Sequence, residues 1–174
     1  MANTIQLASP LQFDSIVDGP GIRIVVWTQG CIHQCSNCHN PHTWSRVAGT
    51  AYQLDELVQE IKEAQLQTGI TFSGGEPFLQ ADKLLPLAKA AKEKGYNIWT
   101  YTGFRFEDLL EDTSATTLLA YIDVLVDGKF VEAQKDYRLV FKGSRNQRII
   151  DVQASMHQKG IVLSHYDERN EVAG

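Results

Sequence analysis

The only three cysteines of this chain lie within one stretch of eight residues. Cys31, Cys35 and Cys38 form a C-x3-C-x2-C pattern, so every thiol of the chain falls in a single short loop. Three thiolates on one loop suit one face of an iron–sulfur cluster, and an ordinary [4Fe–4S] cluster takes four cysteine ligands. The pattern therefore predicts a cluster that is held by three thiolates and has one iron open to a substrate or cofactor.

Two other interpretations of the cysteine loop compete with a cluster. A structural disulfide would pair two cysteines and leave the third over, and such spacings in a cytosolic protein are usually metal-binding or catalytic. A zinc site made of the three thiolates and one of His33, His39 or His42 is chemically reasonable. The second half of a usual zinc pattern is missing, which lowers the zinc interpretation without removing it.

Length and charge narrow the class of protein. The 174 residues are enough for one domain with a sizeable core, so we expect a single domain over residues 1–174. A net charge of −5 does not favour nucleic acid as a partner. No apolar run is long enough to span a membrane, and the N-terminus does not have the form of a signal peptide. We therefore expect a cytoplasmic location, which also suits free thiolates.

Hydrophobic periodicity indicates alternating strands and helices. Helical stripes are predicted at 54–64, 81–94, 106–110 and 114–121. Strands are predicted at 22–28, 69–72, 96–101 and 124–127, with shorter ones near 139–141, 148–152 and 161–163. This alternation is typical of α/β folds with a mostly parallel sheet. Because the chain is too short for eight βα units, we expect an open, partial (βα) barrel with its ligand at the carboxyl ends of the strands.

A second motif, Ser73-Gly-Gly-Glu-Pro77, follows a predicted strand. Glycine at Gly74 and Gly75 lets the backbone approach a ligand without side-chain interference. Glu76 is able to accept a hydrogen bond from the ammonium group of an amino acid. Thr102 also follows a predicted strand and is a candidate contact to a cofactor.

Taken together, the motifs resemble those of the radical S-adenosylmethionine superfamily. The cysteine pattern followed by Ser-Gly-Gly-Glu-Pro carries the general resemblance. The segments Val17-Asp-Gly-Pro-Gly-Ile-Arg23 and Gly30-Cys-x-His-x-Cys-x-x-Cys-His-Asn-Pro-x-Thr-Trp44 are similar to activating enzymes of glycyl radical enzymes. Within these, the chain most resembles the subfamily that activates anaerobic ribonucleoside-triphosphate reductase.

The resemblance implies a mechanism and a set of site residues. Cys31, Cys35 and Cys38 would hold a [4Fe–4S] cluster, and the open iron would bind the methionine part of S-adenosylmethionine. Electron transfer from the cluster would cleave the cofactor to a 5′-deoxyadenosyl radical, which removes a hydrogen atom from a glycine of the partner. The residues expected to contact the cofactor are Asn37, Cys38, His39, Gly74, Gly75, Glu76 and Thr102. Asn37 departs from the superfamily, in which an aromatic residue commonly precedes the third cysteine.

The resemblance also implies partners. The expected partner is an anaerobic ribonucleotide reductase, and the electron donor is expected to be reduced flavodoxin or a similar protein. Pyruvate formate-lyase or another glycyl radical enzyme is the alternative target, and a zinc-binding interaction module is the alternative from another class. A basic run between residues 135 and 148 is either a solvated face or a docking patch for an acidic partner.

Overall fold

The computed structural model describes residues 3–172, which contain eight strands and six α-helices. The strands are β1 (Thr4–Leu7), β2 (Gln12–Ser15), β3 (Arg23–Thr28), β4 (Thr50–Gln53), β5 (Gly69–Gly74), β6 (Asn97–Tyr101), β7 (Val124–Asp127) and β8 (Arg148–Asp151). The helices are α1 (Leu54–Glu63), α2 (Ala81–Glu93), α3 (Phe106–Leu109), α4 (Thr113–Leu119), α5 (Val152–Gln158) and α6 (His165–Val172). Short 3-10 helices lie at Pro41–Thr43, Pro77–Gln80 and Glu132–Gln134.

All eight strands belong to one open sheet. Its order is β4-β1-β3-β5-β6-β7-β8, and β2 pairs with β3 beside this path. The four central strands, β3, β5, β6 and β7, run parallel to one another, whereas β1, β2, β4 and β8 pair antiparallel. The prediction of an α/β fold with a parallel centre and no closed barrel is confirmed.

The two faces of the central strands have different partners. Alternate residues such as Ile24, Ile70 and Ile98 pack in the main core, which contains the apolar faces of α1, α2 and α4. The opposite face carries Trp99 and Ile149 in a second, smaller cluster. Because side chains alternate across a strand, α1, α2 and α4 cover one face, and the other face forms the inside of a partial barrel, where Tyr166 of α6 packs against Trp99.

Register brings the motifs to one edge of the sheet. Thr28, at the end of β3, lies opposite Gly74 at the end of β5. Tyr101, at the end of β6, lies opposite Val126 near the end of β7. The loops that follow these four parallel strands therefore meet at their carboxyl ends, where ligands bind in such sheets.

Three features differ from the sequence-based expectation. The strand predicted near residues 139–141 is wrong, because Phe141 has a left-handed φ of 63° and the segment folds as a loop. The strand predicted near 161–163 is reduced to one isolated bridge between Leu163 and Ile150. The sequence analysis also missed the short outer strands β1, β2 and β4 and the helices α5 and α6.

Between residues 3 and 172, none of the helices is both long enough and apolar enough to cross a membrane.

Candidate functional site

The cysteine loop leaves the end of β3 and returns to its own base. The backbone N–H of Gly30 donates to the carbonyl of Thr43 at 2.7 Å, and that of Cys31 donates to the carbonyl of Trp44 at 3.1 Å. These two backbone hydrogen bonds join the start of the loop to its end. The loop that carries the three cysteines is therefore anchored at the carboxyl edge of the sheet.

The three thiols line one cavity of about 360 Å³. All three are free and half-buried. The backbone N–H of Cys38 donates to the carbonyl of Cys35 at 3.1 Å, and the backbone N–H of Asn40 donates to the Cys38 sulfur at 3.4 Å. This donor set fits an iron–sulfur cluster, whose ligands are thiolates and whose sulfurs accept backbone hydrogen bonds.

The cavity environment disfavours an unligated thiolate at Cys31. Burial raises the pKa of the Cys31 thiol, and the nearby carboxylate of Glu76 and the other two cysteines raise it further. A hydrogen bond from the backbone N–H of His33 opposes the rise. A bound metal centre reverses this balance, because a coordinating thiol is deprotonated by the ion's own charge.

The side-chain positions alone do not separate a cluster from zinc. In the part of the chain that the structure describes, no group of three or more His, Cys, Asp or Glu side chains, the three thiols included, is drawn together as it would be around a bound metal ion.

Gly74 and Gly75 line the cavity, but their missing side chains make room for the neighbouring strand. A Cβ at Gly74 would lie 2.5 Å from the carbonyl oxygen of Thr28, and one at Gly75 would lie 2.3 Å from that of Gly30. Gly74 also has a φ of +101°, which L side chains rarely adopt. The glycines thus let the end of β5 pack against the base of the cysteine loop, and their backbone forms the cavity wall.

Glu76 is fully buried, and its carboxylate accepts four hydrogen bonds from the chain itself. Oε1 accepts from the Thr102 hydroxyl at 2.8 Å and from the Phe78 N–H at 3.1 Å. Oε2 lies 2.6 Å from Nε2 of His33 and accepts from the Gly103 N–H at 2.8 Å. Glu76 is not among the residues that line the cavity, whereas Thr102 lines it with its hydroxyl directed to Glu76.

Asn37 and His39 occupy different positions. Asn37 has a left-handed φ of 53°, is exposed, and donates its side-chain amide to Glu132 outside the cavity wall. His39 is exposed overall and lines the cavity, with its ring 5.1 Å from that of Phe130. Of the residues predicted to contact a cofactor, the structure brings Cys38, His39, Gly74, Gly75 and Thr102 to the cavity.

The sequence analysis did not assign one part of the cavity wall to the site. This part comes from the segment after β7 and includes Phe130, Phe141 and Lys142. The ring of Phe141 packs edge-on against Trp99 at 5.1 Å, and the Lys142 ammonium pairs with Asp167 at 2.9 Å. The segments 122–130 and 141–150 also resemble motifs of the same subfamily, but the resemblance did not assign these side chains to the site, because the shape of the wall depends on partners far along the chain.

The basic run is largely neutralised by its own neighbours. Arg138 and Arg145 both bind the carboxylate of Asp136, whose pKa they hold far below its usual range. Lys142 pairs with Asp167, and Arg148 pairs with Asp127 and Glu107. The remaining member, Lys135, lies over the ring of Tyr137 at 4.5 Å. This pairing argues against a free cationic patch, and Lys142 is buried in its ion pair rather than solvated.

Comparison with known proteins supplies the class and the family. The family described as "4Fe-4S single cluster domain" matches residues 17–150. An anaerobic ribonucleoside-triphosphate reductase-activating protein of Vibrio cholerae is 39% identical over 142 residues, covering 77% of this chain and 90% of the relative. The protein of that name from Haemophilus influenzae is 35% identical over the same shares of the two chains. A crystal structure of QueE from Escherichia coli aligns with 57% of this chain and 53% of its own at 20% identity and a TM-score of 0.44.

The open α/β sheet and the three-thiol cavity, within the matched domain, define a single-cluster iron–sulfur protein. The chain belongs to the family of anaerobic ribonucleoside-triphosphate reductase-activating proteins. The family prediction made from the motifs is thereby confirmed.

Proposed function

We propose that this chain is a radical S-adenosylmethionine activating enzyme that generates a glycyl radical on an anaerobic ribonucleoside-triphosphate reductase. The observation that carries the proposal is the convergence of three half-buried thiols, with no fourth cysteine in the chain, on one cavity at the carboxyl ends of parallel strands. The names of the relatives support the choice of target.

Cys31, Cys35 and Cys38 would hold the cluster. When bound, the cluster and S-adenosylmethionine supply the one-electron cleavage chemistry that removes a hydrogen atom from a glycine of the partner. The backbone of Gly74 and Gly75 forms the adjacent wall. The cavity volume of about 360 Å³ falls in the range of small-molecule sites.

The lining of the same cavity is suited to exclude water once a partner covers the opening. Trp27, Tyr101, Phe130 and Phe141 give it an aromatic lining. Val17 lies on its wall and is 73% exposed, so an apolar side chain stands at the opening. We infer that a glycine-containing loop of the reductase completes the site and displaces water from the reacting atoms.

An external one-electron donor is required, and reduced flavodoxin is our candidate. The basic run gives this donor little support, because four of its five side chains bind carboxylates of this chain. A cytoplasmic location and a single domain over residues 1–174 remain predictions.

The test compares two targets. Reduced protein and S-adenosylmethionine are mixed anaerobically with an anaerobic ribonucleotide reductase and, separately, with pyruvate formate-lyase. We expect the electron paramagnetic resonance doublet of a glycyl radical with the reductase alone. A doublet only with the lyase would reassign the target, and cofactor cleavage without a protein radical would reject both.

A further inference from the structure

The buried carboxylate of Glu76 joins three loops at the carboxyl edge of the sheet. It belongs to the loop after β5, binds Thr102 and Gly103 in the loop after β6, and binds His33 in the cysteine loop after β3. An ionised carboxylate has only acceptor sites, and here each oxygen has two donors within 3.1 Å. The carboxylate therefore acts as a shared anchor for these loops.

Within the described residues, His33 is the only cysteine-loop side chain that is hydrogen-bonded to this carboxylate. Its side chain is 6% exposed, so the ring is held in the interior although it lies between two cysteines of a surface loop. The ring also packs edge-on against Phe104 at 4.6 Å. His33 lies two residues after Cys31 and two residues before Cys35. Its ring thus connects the segment between the first two cysteines to the buried carboxylate.

Gly103 makes this arrangement possible. A Cβ at Gly103 would lie 2.4 Å from Cδ2 of the His33 ring. Since real Cβ atoms do not approach that closely, the ring reaches Glu76 only because a glycine stands beside it.

We propose that His33 is a positioning residue that fixes the cysteine loop through its ring contact with Glu76. The pair preorganises the three thiols for the metal centre and restrains the loop that carries them, and it does not itself touch the reacting atoms. The inference rests on the proposed function only in taking the three thiols as the cluster ligands.

The test uses the full-length, anaerobically loaded protein and two readouts other than activity. The first is the rate at which iron passes to an added chelator. The second is hydrogen exchange at the Gly30 and Cys31 amides, which are protected by the bonds that close the loop. For His33→Ala we expect both rates to rise about tenfold or more, the factor expected for loss of a hydrogen bond to a charged group.

Two amide variants distinguish the loss of the hydrogen bond from the loss of side-chain volume. Glutamine places an N–H near the position of Nε2, whereas the shorter side chain of asparagine does not reach the carboxylate. We expect His33→Gln to restore both rates toward those of the unmodified protein and His33→Asn to resemble His33→Ala. The comparison holds whether or not the alanine variant folds. The exposed His42 lies in the same loop, and His42→Ala is expected to change neither rate.

A second test leaves both partners in place. Gly103→Ala crowds the ring and should raise both rates, whereas Gly160→Ala meets no atom within 4 Å and should raise neither. The proposal is overturned if His33→Ala leaves both rates unchanged, if His33→Gln is as defective as His33→Asn, or if exchange rises equally in the core of β5. Failure to activate a reductase would leave these rates untouched, so the two proposals fail separately.

Discussion

Replacing Arg23 with methionine is expected to destabilise the fold by roughly 4 kcal/mol. Arg23 ends the Val17–Arg23 motif and is 1% exposed. Its guanidinium donates to the Thr71 hydroxyl at 2.7 Å, to the Pro20 carbonyl at 2.8 Å and to the Ile70 carbonyl at 2.8 Å. Two further bonds reach Asn97, at 2.9 Å to its carbonyl and at 3.3 Å to its side chain. One side chain therefore joins the motif to β5 and β6 at the floor of the partial barrel.

Two opposing free-energy contributions of Arg23 set the expected loss of stability: its hydrogen bonds and the cost of burying its charge. Nη2 has only two hydrogens for its three acceptors, so four N–H groups make these five contacts. At about 1.5–2 kcal/mol for each N–H group of a charged donor, they contribute roughly 7 kcal/mol. In the part of the chain that the structure describes, no carboxylate forms an ion pair with this guanidinium. Burial lowers the pKa of Arg23 from 12.5 to about 10, a cost near 3 kcal/mol for the charged form. The difference is about 4 kcal/mol, which corresponds to roughly 10 °C in melting temperature for a chain of this length.

Urea unfolding under anaerobic, reducing conditions measures this loss. Arg23→Lys should lose about 2 kcal/mol, because an ammonium group has three donors and lacks the planar fork. Arg46 is exposed, and Arg46→Met makes the same change in charge at an expected cost below about 0.5 kcal/mol. If Arg23→Met unfolds within about 1 kcal/mol of the unmodified protein, the reasoning from buried hydrogen bonds is refuted.

Three further predictions concern the thiols, the glycine wall and acid stability. Cys31→Ala should lose the brown colour and most of the iron, and full iron content would remove that residue from the ligand set. Gly75→Ala should lower both stability and iron content because its Cβ would strike backbone, whereas Gly160→Ala should change neither; equal melting temperatures and iron contents would contradict this. Hydrogen bonding to Arg148 lowers the pKa of Glu107 from 4.5 to about 2, so its stabilising effect is present above pH 4.5 and is lost as the pH falls toward 2. Because Glu107 is half exposed, Glu107→Gln should cost less than about 1 kcal/mol near neutral pH and almost nothing near pH 2; a constant difference would argue against the assignment.

The central strands and the cysteine loop could be predicted from local sequence. Runs such as Ile22–Thr28 are β-branched and apolar, so both faces of the strand are suited to burial. The outer strands gave no such signal: β4 has no fully buried residue, and its pairing with β1 alone makes it a strand. Short edge strands of this kind depend on their neighbours more than on their own residues.

The role of Glu76 could not be predicted from its motif. Its position beside two glycines suggested an acceptor for a ligand's ammonium group. In the structure both oxygens also accept hydrogen bonds from the chain, and two of the donors, Thr102 and Gly103, follow a strand end more than twenty residues away. Whether Glu76 also contacts a cofactor stays a prediction, since the carboxylate lies behind the cavity wall.

The conformation of the cavity wall formed by Phe130, Phe141 and Lys142 could not be predicted from the local sequence either. Phe141 lies in a run that reads as a strand, yet its left-handed φ and its packing on Trp99 place it in a loop. The adjacent Lys142 is fixed by Asp167, a residue of α6 that lies 25 positions along the chain. Such long-range pairs determine the conformation of the loop, and the hydrophobic periodicity of the sequence does not predict them.

The central claim is that three cysteines hold a cluster with one iron open to S-adenosylmethionine. The most direct measurement is the electron paramagnetic resonance spectrum of the dithionite-reduced protein before and after the cofactor is added, with iron and zinc counted on the same sample. We expect about four irons per chain and a spectrum that changes on addition of the cofactor, because the cofactor binds the cluster itself. A colourless protein with one zinc per chain, or an iron–sulfur spectrum that the cofactor leaves unchanged, would contradict the account.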